Sequence, residues 1–153
     1  MKKFLAVIAV LGFAASIVSA QNPYAMPYSF VIGTNQIAAS GTQYVSNAVP
    51  TVIGNTAALQ CSFKMQSGAE TGNISFVFAK SVGSGLVSGA NAVYETTPSI
   101  TVTVAANGTS QVTYYTNVTV GACASLQLVD IVNGCTNSIL TNMTVKMNMK
   151  HGI

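Results

Sequence analysis

Apolar and polar side chains alternate one by one along much of this chain. In Leu59-Gln60-Cys61-Ser62-Phe63-Lys64-Met65-Gln66 the odd positions are apolar and the even ones polar. Ile74, Phe76 and Phe78 share one parity. Met143, Val145, Met147 and Met149 share another, opposite Thr144, Lys146, Asn148 and Lys150. A period of two is that of a β-strand with one buried and one wetted face. Residues 124–132 are more continuously apolar, the pattern of a strand covered on both sides. No helical periodicity of useful length follows the first twenty residues.

Residues 99–120, SITVTVAANGTSQVTYYTNVTV, carry no charge. Ile100, Val102 and Val104 point one way, and Val112, Tyr114, Thr116, Val118 and Val120 share one parity. A two-residue turn at Asn107-Gly108 would put the two apolar sets on opposite faces of a hairpin. A three-residue loop, Ala106-Asn107-Gly108 with Gly108 left-handed, pairs Val102 with Val112 and aligns them. Burial favours that bulged loop; otherwise the strands belong to different sheets and the loop crosses between them. With residues 28–32 and short pieces near Gln43 and Ala92, the pattern predicts seven to nine strands. The fold class is all-β: a single antiparallel β-sandwich, Ig-like or jelly-roll, preceded by a signal-peptide helix.

The opening MKKFLAVIAVLGFAASIVSA has a basic start at Lys2 and Lys3, an apolar run and small residues before Gln21, the pattern of a cleaved secretory signal. The run is short for a membrane span and is followed by Gln21, Asn22 and Pro23. The expected organisation is a signal over 1–20, an extended arm over 21–27 and a sandwich over 28–153. The product is expected to be secreted, extracellular or at the cell surface, with periplasmic transit in a Gram-negative cell and no membrane insertion after cleavage.

Only 6% of residues are charged, against about 25% in ordinary soluble domains. Removing Lys2 and Lys3 from six lysines leaves four against three acids, a net charge of +1, and there is no arginine. Nucleic acid and anionic membranes need clustered positive charge and are disfavoured as partners. Amide and hydroxyl side chains must wet the surface instead. Proteins packed against their own copies, and sugar-coated or sugar-binding proteins, have such surfaces.

Groups for acid–base chemistry are few. His151, the single histidine, is the third residue from the end, where a frayed terminus is not expected to hold its ring for catalysis or metal binding. Glu70 and Glu95 fall in loops, and with Asp130 they are too scattered for a glycosidase pair or a calcium site. The expectation is no enzyme, no cofactor and no metal. Gly83-Ser84-Gly85-Leu86-Val87-Ser88-Gly89 misses the dinucleotide-loop spacing by one position, with no helix after it. Four Asn-X-Ser/Thr matches, at Asn73, Asn107, Asn117 and Asn142, fit the composition. The tyrosines offer a sugar-stacking surface, with Tyr115 facing outward and Tyr114 inward. Tyr115, Gly85 and Gly89 are the candidate ligand contacts.

Cys61, Cys123 and Cys135 follow the signal and so meet an oxidising compartment. If residues 124–133 form one strand, twelve steps of about 3.3 Å separate Cys123 and Cys135 far beyond disulfide reach. A bridge between subunits at Cys123 and Cys135 is the candidate pairing, and Cys61 reads as a core thiol.

AVYETTPSITVTVAANGTSQVTYYTNVTVG, leading into SLQLVDIVNG and TNMTVKMNMK, resembles small β-sandwich structural proteins of bacteriophage virions and bacterial surfaces. The resemblance implies a structural or decorating role in an ordered assembly and carries no site residue across. The leading expectation is a secreted, non-catalytic protein that self-assembles as a filament, coat or surface-layer subunit. Pro23, Tyr24, Pro27, Tyr28 and Phe30 would form an assembly arm that adds to a neighbour's sheet. The alternative is a soluble adhesion or carbohydrate-binding β-sandwich module. The partners to expect are copies of the chain, as a homo-oligomer or polymer, or a glycan.

Overall fold

Among the described residues, ten strands divide into two antiparallel sheets. The computed structural model describes residues 26–33, 35–45, 48–50, 56–67, 72–81, 94–121, 123 and 125–150. In chain order the strands are β1 (Met26–Phe30), β2 (Gln36–Ile37), β3 (Thr42–Tyr44), β4 (Ala48–Pro50) and β5 (Thr56–Met65). There follow β6 (Asn73–Ser81), β7 (Ile100–Ala105), β8 (Gln111–Thr119), β9 (Ser125–Asn133) and β10 (Leu140–Lys150). One sheet runs β1-β10-β5-β8 with β2 also on β10; the other runs β3-β9-β6-β7 with β4 also on β9. From β4 onward every connection except β6 to β7 passes between the sheets. That wrapping is a jelly roll and settles the topology the sequence left open.

The hairpin expected at Asn107-Gly108 does not form. β7 pairs with β6, setting Val102 against Phe76, while β8 pairs with β5, setting Tyr114 against Cys61. β5 and β6 stand in opposite sheets, and each takes one of the two uncharged strands as its outer neighbour. The connection crosses between layers, and Gly108 adopts φ +54° within it. A glycine tolerates that left-handed backbone at little cost.

Two bulges explain where the simple alternation breaks. β10 advances three residues, from Thr141 to Thr144, while β5 advances two. Asn142 sits at φ +50° in this bulge, so Leu140 and Met143 both face inward despite opposite parity. In β9 one extra residue lies between the partners of Val77 and Phe78, bringing Leu128 and Ile131 to the same face. The apolar run at 124–132 is therefore not a strand covered on both sides. It is a bulged strand whose Val129 and Val132 lie on the half-exposed outer face.

The core fills the space between the layers. Phe30 meets Phe78 edge-on at 5.6 Å, and Phe63 lies 6.3 Å from Phe76, so ring pairs join the two sheets. Cys61 is buried among them, and burial pushes its thiol up to about 12, as expected of a core cysteine. At one end, buried Asn133 donates through Nδ2 to the carbonyls of Ser138 (2.8 Å), Ala38 (3.0 Å) and Ile37 (3.3 Å). Its Oδ1 accepts from the Cys135 N–H at 3.1 Å. One amide thus satisfies backbone groups at the end of β2 and in the turn over 135–138.

Of the expected assembly arm, Pro27, Tyr28 and Phe30 fall among the described residues, in β1. β1 lies on β10 of its own chain, with Tyr28 opposite Met147 and Phe30 opposite Val145. Phe30 is buried, so burying its ring has already fixed this strand intramolecularly. Pro27 pairs with Asn148 in the same ladder. Pro23 and Tyr24 lie outside the described residues, as do the signal segment and His151.

Candidate functional site

The outer face of the β10-β5-β8 sheet holds a groove of about 320 Å³. Register builds it. Lys146 stands opposite Gln60, and Gln60 opposite Tyr115, forming one row across three strands. The next row outward is Asn148, Ala58 and Asn117, paired in the same way. These six side chains point away from the core because their strand neighbours Leu59, Cys61, Val145 and Met147 are buried. With strands about 4.8 Å apart, each row spans roughly 10 Å.

Each row contributes different chemistry. Tyr115 is 70% exposed, so its ring stands as a wall with a free apolar face and a hydroxyl at its rim. Ala58 is the smallest side chain of the set and forms the floor between longer neighbours. Gln60, Asn117 and Asn148 each present an amide that both donates and accepts, and Lys146 adds an ammonium donor. Beside the groove, the Ser62 hydroxyl donates to Thr113 Oγ1 at 3.1 Å and ties β5 to β8 on this face. Lys146 also pairs with Ser29 of β1, carrying the row to a fourth strand.

No group of three or more His, Cys, Asp or Glu stands together among the described residues. Neither described carboxylate borders the groove. Glu95 is a clamp on the other sheet: it accepts from Ser99 Oγ at 2.9 Å, from the Ser99 N–H at 3.2 Å and from the Lys80 N–H at 3.3 Å, with Lys80 Nζ at 3.6 Å. Loss of water around the carboxyl raises its pKa. The Ser99 hydroxyl, the Lys80 N–H, the Lys80 ammonium and the Ser99 N–H outweigh that and hold it below the ordinary glutamate value. Asp130 lies in β9, opposite Tyr44 and Val77.

The structure separates the residues that the sequence grouped. Tyr115 faces outward as its parity required. Tyr114 points toward the interior side yet remains 40% exposed, because β8 is an outermost strand. Tyr44, 83% exposed, lies on the opposite sheet, and Tyr94 bonds Ser125 Oγ at 3.0 Å. The described tyrosines therefore form no common platform. Gly85 and Gly89 lie outside the described residues. All three cysteines are thiols, with Cys135 buried and Cys123 half-buried. A bridge between subunits would require Cys135 to leave the core. Gln60, Asn117, Lys146 and Asn148, which sequence reasoning did not single out, carried one signal: each is polar on the wet parity of its strand.

No family model and no curated protein matches the chain. Among solved structures, it is similar to a family 16 carbohydrate-binding module-2, with a TM-score of 0.43 and 11% identity over 72% of this chain and 73% of that one. It is also similar to the carbohydrate-binding module CBM6cm-2 from Cellvibrio mixtus lichenase 5A, solved in complex with cellotriose. There the TM-score is 0.43 and the identity 15%, over 86% of this chain and 92% of that one. What they share with this chain is the β-sandwich. No site residue is transferred from them.

Proposed function

We propose that the protein is a non-catalytic carbohydrate-binding module that holds a short neutral glycan in the groove on the β10-β5-β8 face. One observation carries the reading: an exposed tyrosine ring stands in register with three amides and an ammonium around an alanine floor. A sugar ring has an apolar face of C–H groups and an equatorial rim of hydroxyls. The Tyr115 ring offers surface for the first, and Gln60, Asn117, Asn148 and Lys146 offer donors and acceptors for the second. A charge-poor protein surface suits an uncharged ligand, since binding displaces few ion pairs. Export under residues 1–20 belongs to the same reading, because it would take the module to extracellular glycans.

Affinity electrophoresis through gels containing soluble polysaccharides, followed by calorimetry with matching oligosaccharides, tests it. Retardation by at least one neutral polysaccharide is expected. Tyr115→Ala should weaken binding about tenfold or more, corresponding to roughly 1.4 kcal/mol or more. If no glycan in a broad panel retards the parent protein, the reading fails.

A further inference from the structure

The strand that walls the groove is also an unfinished edge. β8 ends its sheet, and among the described residues only β5 pairs with it. Natural edges are protected by charge, proline, bulges or brevity. β8 has nine residues, QVTYYTNVT, with no charge and no proline, and its register with β5 runs unbroken from Lys64–Gln111 to Thr56–Thr119. The other sheet's outer strand, β7, is shorter, and its inward residues Ile100, Val102 and Val104 are all buried. Those of β8 are not: Val112, Thr116 and Val118 are half-buried and Tyr114 is exposed. The edge thus presents both unpaired backbone and an incompletely covered apolar row.

We infer that β8 pairs antiparallel with β8 of a second copy of the chain, joining two sandwiches into one continuous sheet about a two-fold axis. The strand is self-complementary about its centre. With Tyr115 opposite Tyr115 of the second copy, Tyr114 meets Thr116, Thr113 meets Asn117, Val112 meets Val118 and Gln111 meets Thr119. Every outward side chain then faces an outward one, and the inward row is completed by aliphatic and aromatic neighbours. Such a contact is isologous and closes at two copies. A two-fold perpendicular to the sheet leaves both grooves on the same face, with their tyrosine walls adjacent at the seam. This goes beyond the glycan reading, and differs from assembly through the N-terminal arm because it uses the edge of the sheet opposite β1.

Light scattering coupled to size-exclusion chromatography at micromolar concentration tests the pairing on the purified protein. Gln111 and Thr119 are exposed, so charge can be placed there without disturbing the core. Gln111→Lys with Thr119→Lys sets like charges opposite each other at both ends of the seam. Gln111→Lys with Thr119→Glu sets opposite charges there. The parent and the lysine–glutamate pair are expected at twice the monomer mass, and the lysine–lysine pair at the monomer mass. A monomeric parent, two double variants that behave alike, or a ladder of larger species overturns the inference. The readout is mass alone, so failure to bind glycan leaves the dimer standing, and a monomeric parent leaves the groove standing.

Discussion

β7 and β8 are consecutive strands of the same uncharged, valine- and threonine-rich stretch, and the fold uses them in opposite ways. β7 alternates strictly between buried and exposed positions. β8, with the same alternation in its sequence, has no fully buried residue. Both are outer strands, and the difference is how far the inner row of each is covered. β7 lies beside β6, whose Phe76 and Phe78 bring large rings to the shared inner face. β8 lies beside β5 at the rim, and its outer face belongs to the groove. Equal β propensity therefore yields a stability element in one strand and an interaction element in the other, because burial of side chains and not strand preference sets the energy.

The comparison is most severely tested at Phe76, opposite Val102. Phe76→Ala removes a fully buried ring and should cost about 3–5 kcal/mol in denaturant unfolding. Val102→Ala on β7 should cost about 2 kcal/mol, while Val118→Ala on β8 should cost less than about 1 kcal/mol. Equal losses at the two positions would erase the distinction. Gly108→Ala, at the joint between the strands, should destabilise by about 1 kcal/mol through its left-handed backbone, whichever strand is considered.

Tyr115→Ala should leave unfolding within about 0.5 kcal/mol of the parent while glycan binding is lost. A comparable fall in stability would make the ring a structural group. The smallest effect concerns pH. Glu95 ties the segment before β7 to β6 and has a lowered pKa. Its contribution is therefore present above the ordinary glutamate value and is lost as pH falls through the depressed one. Thermal unfolding should show an acid-side decline that Glu95→Gln makes shallower. β8 carries no ionisable acid or lysine and should show no counterpart.

Several parts of the fold were legible from single strands. The alternation at 59–66 and 143–149 identified β5 and β10 and their wet faces, and the parity of Tyr115 placed it outward. Cys61, set between Leu59 and Phe63, read as a core thiol, and it is one. Other parts could not be read because they depend on partners distant in the chain. Asn133 looks like any strand-end asparagine until residues 37, 38 and 138 surround it. The bulges at Asn142 and Val129 shift parity without altering composition. The bulged hairpin was favoured because it aligned two apolar faces locally, but β5 and β6 offered each strand a better partner.

Local sequence determined that the chain would form strands, which parity of β5, β6 and β7 would be dry, and that few charges would decorate the exterior. Those properties follow from a two-residue period acting within a few neighbours. Only the tertiary structure decided that Lys146, Gln60 and Tyr115 stand in one row, that the uncharged stretch divides between two sheets, and that β8 is left at a rim. Register between strands tens of residues apart is chosen by packing across the whole sandwich, where loop closure and core volume are settled together, and no local pattern encodes that choice.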